Sequence, residues 1–345
     1  MAFPGKPVSQ LVGSNGTYIL TGSADRSIRL YNPQPTTSAA DGSLPEGRLI
    51  QTYSAHGYEV LSLAVAGDNA RFASSGGDRT VFLWDVATAT TLRRFSNDGH
   101  SSRVNCVAFG GDGDSVLVSG GFDTTVKLWD CKGGGNGSKP IHTLTDSRDG
   151  ISALAVRDAE VVVGSVDGRV RTYDVRMGRC VVDVVGPSVT SLCLSRDGNA
   201  LLVGSLDSSL RLMDRAAGTC LRTYRAEGRW RNESLRVQSL LGAGERFVVA
   251  GDELSCDAGA DDTADQDGKV WAWDILTGEV VATLKVPWTA AANGAGERRR
   301  RAVGRDGKEK GRKNIMSCLA WREGGWGNQF CVGGSSGVVT VFGSG

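Results

Sequence analysis

Nowhere in these 345 residues does an apolar run approach the ~20 residues that a membrane-spanning helix needs, so no span and no membrane partner are expected. Histidine is scarce, with three residues, and no His/Cys cluster has metal-ligand spacing, so neither a metal nor a cofactor is expected. None of the eight cysteines forms a C-x-x-C pair, and several stand in apolar alternation, as in Leu192-Cys193-Leu194. They read as reduced core residues of a cytoplasmic or nuclear protein. Residues 1 to 14 lack the charged start and apolar core of a secretory signal. Without that route the sequons at Asn15, Asn136 and Asn232 carry no meaning. A formal net charge of +1 gives no global field to collect nucleic acid or an anionic membrane. The glycine runs contain no G-x-x-x-x-G-K-[ST] phosphate loop.

Glycine itself is abundant, at 48 residues, which suits many short strands joined by tight turns. One pattern recurs: an apolar strand, a small residue, an acid in a tight turn, then an alternating strand that ends in an aromatic and an acid or amide. Its copies centre on Asp25 with Tyr31, Asp78 with Trp84, Asp123 with Trp129, Asp167 with Tyr173, Asp207 with Met213, and Asp267 with Trp273. A seventh, degraded copy runs from Ser336 to Phe342. The turn acids stand 53, 45, 44, 40 and 60 residues apart, and Ser336 follows 69 after Asp267. A period near 40 with insertions is the mark of propeller blades of four strands. The fold expected is all-β, a single seven-bladed propeller over residues 1–345, because each sheet needs a neighbour on both faces.

These repeats resemble WD-repeat β-propellers over nearly the whole chain. Within that class the closest likeness is to the mitogen-activated protein kinase organizer scaffolds. It is carried by Tyr53 to Leu61, Ser147 to Gly150, Gly164 to Gly178 and Ser205 to Leu212. The third of these is the most diagnostic, since it continues past the aromatic as Val175-Arg176-Met177-Gly178. The resemblance implies a non-catalytic scaffold, monomeric within larger complexes in cytoplasm and nucleus. Its partners would be MAP kinase pathway components or spliceosomal proteins. It also implies a hydrogen-bonded His, Ser, Asp and Trp inside each blade. Two blades have the whole set: His56, Ser74, Asp78, Trp84 and His100, Ser119, Asp123, Trp129. The other blades lack the histidine, so their interior bonding must differ.

In this family, residues ahead of the first blade supply the outer strand of the last. Only Met1 to Lys6 precede the first apparent strand here, Pro7 to Val12, which is too short and too rich in Gly and Pro for a good strand. The last blade is therefore expected to lack its outer closing strand and to leave an open edge. Low-complexity loop insertions are expected at 34–47, 252–266 and 287–313. Asp252 to Asp267 holds seven acids and no Lys or Arg, and Glu297 to Lys313 holds nine Lys or Arg against three acids. By family topology both project from one face. They read first as solvated loops. The sharper reading of Arg298 to Lys313 is a nuclear-import patch or a weak RNA contact, through phosphate because no aromatics interleave.

Candidate protein-binding residues on that face are Tyr58, Arg103, Phe122, Arg148 and Trp230, types enriched at interface hot spots. A second reading makes the chain a substrate receptor of a cullin-type ubiquitin ligase, docking through Tyr173-Asp174-Val175-Arg176 with Arg176 as the contact. Enzyme readings are weaker. The His/Ser/Asp set occurs twice at repeat spacing, which marks it as architecture. The G-x-S-x-G match at Gly333 to Gly337 is followed by strand pattern where the nucleophile elbow needs a helix.

Overall fold

The computed structural model describes residues 2–3, 8–14, 18–35, 47–96, 98–133, 139–254, 267–287, 313–322 and 329–343. All regular elements among them are strands. They form seven four-stranded antiparallel sheets, six of them drawn from consecutive stretches of chain. Blade two is representative: Val60–Val65, Arg71–Gly76, Val81–Asp85 and Thr91–Phe95 pair in that order. The first strands of the blades are Val8–Ser14, Val60–Val65, Val104–Gly110, Ile151–Arg157, Val189–Leu194, Ser239–Gly242 and Met316–Arg322. The first of them lies against the last, which closes the ring.

The alternation of the third strand decides how the blades pack. In Val126–Asp130, the side chain of Trp129 joins a cluster with Leu83, Phe95 and Val107 at the junction of blades two and three. Val126 and Leu128 point the other way and join Ile151, Val161 and Tyr173 between blades three and four. Period-two alternation thus gives each neighbour its own apolar face. The aromatic faces the preceding blade at Tyr31, Trp84, Trp129, Tyr173 and Trp273 alike. Seven apolar clusters result, one at each of the seven blade junctions.

The turn between second and third strands also repeats. The residue after the turn acid has a left-handed backbone at Arg26, Arg79, Thr124, Gly168 and Ser208, with Gly337 in the same place in blade seven. The acid holds the turn by accepting the N–H two residues on, as Asp78 does from Thr80 and Asp123 from Thr125. Thr124, at φ 66, is β-branched in a region that disfavours such side chains.

One expectation is corrected. The last blade does not lack its outer strand: Ala2–Phe3 pairs antiparallel with Val339–Gly343, with Ala2 opposite Thr340 and Phe3 opposite Val339. Two residues suffice because an outer strand has one ladder to make. The apolar filling of this blade comes from Cys318, Cys331 and Val339 against Ile19 and Tyr31. Blade three manages with an outer strand of only three residues, His142–Leu144.

Candidate functional site

The two complete sets each form a chain inside their own blade. In blade two, Trp84 Nε1–H donates to Ser74 Oγ at 2.8 Å, Ser74 Oγ lies 2.7 Å from His56 Nε2, and His56 Nδ1 lies 2.8 Å from Asp78 Oδ2. Blade three repeats this with Trp129, Ser119, His100 and Asp123 at 2.8, 2.8 and 3.0 Å. One direction of donation satisfies every group: indole to hydroxyl, hydroxyl to Nε2, and Nδ1–H to carboxylate. Ser74 and Ser119 are completely buried, so no substrate can reach their hydroxyls. The chain stiffens the blade and ties the loop before its first strand to its turn.

Three of the blades without histidine use arginine. Arg171, four residues after Asp167 on the third strand, places Nη2 at 2.7 Å from Asp167 Oδ2 and Nη1 at 2.8 Å from Ser165 Oγ. Arg211 repeats the fork on Asp207 and Ser205, and Arg29 pairs with Asp25 at 2.7 Å. The arginine occupies the place of Phe82 in blade two: Arg171 sits opposite Val163 and Phe82 opposite Ser74, each two residues ahead of the ring aromatic. Burial pushes the Asp167 and Asp207 carboxyls up, but the guanidinium and hydroxyl hydrogen bonds outweigh it and hold both at about 2. Asp78 and Asp123 are lowered in the same balance, with histidine as the donor.

Blade six uses a third solution. The acid inside it is Asp252 and not Asp267, the residue its repeat spacing suggested. Trp271 Nε1–H donates to Asp252 Oδ2 at 2.7 Å, and the N–H groups of Arg231 and Leu254 donate to Oδ1. Asp252 is completely buried, and that burial raises its carboxyl above the usual range. Its neighbour Glu253 accepts the backbone N–H groups of Glu233, Ser234 and Leu235. The first residues of the expected 252–266 insertion therefore belong to the folded blade, while 255–266 lie outside the described residues. Gln34 and Pro35 likewise belong to strand Ser27–Pro35, Gly47 opens strand Gly47–Ser54, and 36–46 and 288–312 are also outside.

Antiparallel pairing puts the turn after each second strand and the loop before each first strand at one end of the ring. Arg103, Phe122 and Arg148 come together there. The Arg103 guanidinium lies over the Phe122 ring at 4.6 Å, and Phe122 N–H donates to Arg103 O at 2.9 Å. The same ring packs against Gly150, in the loop that carries Arg148. Arg148 N–H reaches the Asp167 carboxylate, and its own side chain is exposed. Phe122 is 43% exposed, a large apolar surface for a turn residue. Tyr58, 61% exposed, stands on the same face beside an open recess of ≈ 640 Å³ lined with Asp78, Arg79 and Arg94.

Two candidates are placed elsewhere. Trp230 is not on the surface: its indole N–H donates to Gly251 O at 2.7 Å and its ring packs edge-on against Trp273 in the cluster between blades five and six. A tryptophan in a loop carries no sequence mark that separates a plug from an anchor. Arg176 is exposed, but in the turn between third and fourth strands, at the opposite end of the ring. Asp174 accepts the N–H groups of Arg176 and Met177, as Asp85, Asp130, Asp214 and Asp274 do in their own blades. The acid of the Tyr-Asp-x-Arg box thus has a turn-capping role that recurs around the ring. Asn232, a sequon residue, is buried, and its amide donates to Thr190 Oγ1 and Ser205 O.

The comparison with known proteins agrees with this geometry. A family model described as "WD domain, G-beta repeat" matches residues 3–32, 47–85, 90–130 and 178–214. WD repeat domain-containing protein 83 of Rattus norvegicus is 40% identical over 272 residues, spanning 79% of this chain and 76% of that protein. The protein of the same name in Homo sapiens is 39% identical over the same shares. The Dictyostelium discoideum homolog is 25% identical over 79% of this chain and 82% of its own length. Seven sheets with shared junction cores, an acid in each of six turns or strand ends, and relatives aligned over three quarters of their length lead to one statement. The chain belongs to the WD-repeat β-propeller family.

Proposed function

We propose that this protein is a non-catalytic scaffold that holds protein partners on the face carrying the Arg103–Phe122 pair. The exposure of Phe122 under a stacked guanidinium supports this reading most directly. The histidine, serine and tryptophan of the two complete sets already have their partners inside the fold, whereas this aromatic-arginine shelf is left to solvent. Arginine and large aromatics in this arrangement supply binding energy with little conformational entropy to lose. The partners proposed are components of mitogen-activated protein kinase signalling or of pre-mRNA splicing complexes, in cytoplasm and nucleus. That assignment rests on the resemblance of Gly164 to Gly178 and its companion stretches to scaffolds of those systems. A weak RNA contact through residues 298–313 would belong to the splicing role.

The test is affinity purification of the full chain with mass spectrometry, comparing the parent with Phe122→Ser, Arg148→Glu and Arg176→Ala. Kinases or splicing proteins recovered with the parent and lost in the first two variants are the expected result. Retention of every partner in both variants would remove the assignment of this face. Selective loss of a ligase adaptor in Arg176→Ala would put the ubiquitin-ligase reading in its place.

A further inference from the structure

Arg236 is a half-buried arginine whose charge the fold leaves without a carboxylate. It immediately precedes Val237, which is 2% exposed, just as Arg103 precedes Val104, which is fully buried. The two arginines therefore enter the first strands of blades six and three from equivalent positions. From there Arg236 Nη1 donates to the Asn105 carbonyl at 2.6 Å, a contact 131 residues away in sequence. Its side chain thus crosses from blade six to blade three over the channel that the seven first strands enclose. No other pair of non-adjacent blades is joined by a side-chain hydrogen bond among those seen between described residues.

The charge of Arg236 is unanswered. By contrast, Arg29, Arg171, Arg211 and Arg215 each meet a carboxylate within 2.7 Å. Among the described residues Arg236 meets none, and Arg103 stands close enough to repel it. Burial, with Arg103 adding to it, lowers the guanidinium below its usual range. A partly buried cation without a counterion is unfavourable to a fold, so such a group points to something that arrives from outside. Neighbouring amides are not free to help: Asn105 Nδ2 donates to Ile151 O and Gln238 Oε1 accepts from Leu319 N–H, each stapling one blade to the next. With Nη1 held by Asn105 O, the rest of the planar fork has no other hydrogen bond to a described residue. Two parallel N–H groups match the two oxygens of a carboxylate.

We propose that the channel mouth between blades three and six receives a carboxylate side chain from an acidic segment of a protein partner, bound by Arg236 with Arg103 beside it. This rests on the scaffold reading above and adds the chemistry of the partner to it.

The probe is a fluorescein-labelled hexaglutamate peptide, titrated against the full chain and followed by anisotropy. Arg236→Met should raise Kd by about tenfold, the loss of one charge-assisted pair, and Arg103→Met by a smaller factor. Arg26→Met, an exposed arginine of the same face, should change Kd by less than about twofold. Arg236→Met should also melt no lower than the parent, because a partly buried charge without a counterion is gone. Equal hexaglutamate affinity in parent and Arg236→Met overturns the proposal. So does tighter binding of a phosphoserine peptide of equal length, or of single-stranded RNA, since either moves the site to phosphate. A loss of stability in Arg236→Met would give the arginine a structural role and overturn it as well. If hexaglutamate fails while Phe122→Ser still releases the purified partners, only the carboxylate site falls and the scaffold reading stands.

Discussion

Blades three and four meet the same requirement with different chemistry. Each must satisfy a buried serine hydroxyl and a turn aspartate at the junction with its neighbour. Blade three reaches them from outside the sheet, with His100 in the loop ahead of the first strand, and links the hydroxyl onward to Trp129. Blade four reaches them from within, with Arg171 on the third strand itself. The histidine chain binds three separate segments of the blade together. The arginine fork is local, four residues from its aspartate, and leaves the preceding loop to be held by other bonds. What the architecture demands is therefore a donor aimed at the serine and the acid, and the residue that supplies it is open to change. Where the loop must be fixed, histidine does more. Where the loop is to vary, arginine suffices.

The largest effect that would sharpen this contrast is at Trp129. Trp129→Ala removes a fully buried ring and takes the indole donor from Ser119, and should cost about 3–5 kcal/mol in urea unfolding. A loss no greater than that of Tyr173→Ala in blade four would break the idea that the indole is part of the chain. Next, Arg171→Met leaves Asp167 without its counter-charge and should cost about 2–3 kcal/mol. His100→Gln should cost less, about 1–2 kcal/mol, because Asp123 keeps the N–H groups of Ser101 and Thr125. The reverse order would show that the loop tie outweighs the ion pair.

Acid should separate the arginine blades more gently. Asp25, Asp167 and Asp207 lie at about 2, below their ordinary value of 3.8. A carboxyl lowered by folding contributes stability that is whole above 3.8 and is lost as pH falls through about 2. Unfolding free energy should therefore decline across that window, with a shallower slope in Asp167→Asn. An unchanged slope would mean that Asp167 does not report the pair. The smallest effect is at the turn. Thr124→Gly relieves a β-branched residue from a left-handed backbone, and should raise stability by up to about 1 kcal/mol in the same assay.

The blade count and the two histidine sets were legible because they depend on residue types at fixed spacing. The arginine forks were not. Arg171 and Arg211 stand where alternation assigns one more polar residue, and nothing in a strand pattern separates an arginine that folds back on its own turn from one in water. Asp252 was hidden for a related reason: seven acids in a row of polar residues read as solvent, while one of them caps an indole inside the blade. Trp230 erred in the opposite direction. The closing strand was missed because strand length was weighed, whereas an outer strand needs only enough backbone to make one ladder. The shelf of Arg103, Phe122 and the Arg148 loop followed from position alone, since topology gathers those loops at one end.

The seven junction clusters have a consequence for how this molecule could be taken apart. Each belongs to two blades at once, so no cut through the ring yields a piece that keeps all its apolar surface covered. A fragment of three or four blades would present a bare sheet at both ends and would stick to itself or to its missing half. Split halves of this protein should be insoluble alone and recover only when expressed together, like an arch that stands only once its last stone is set.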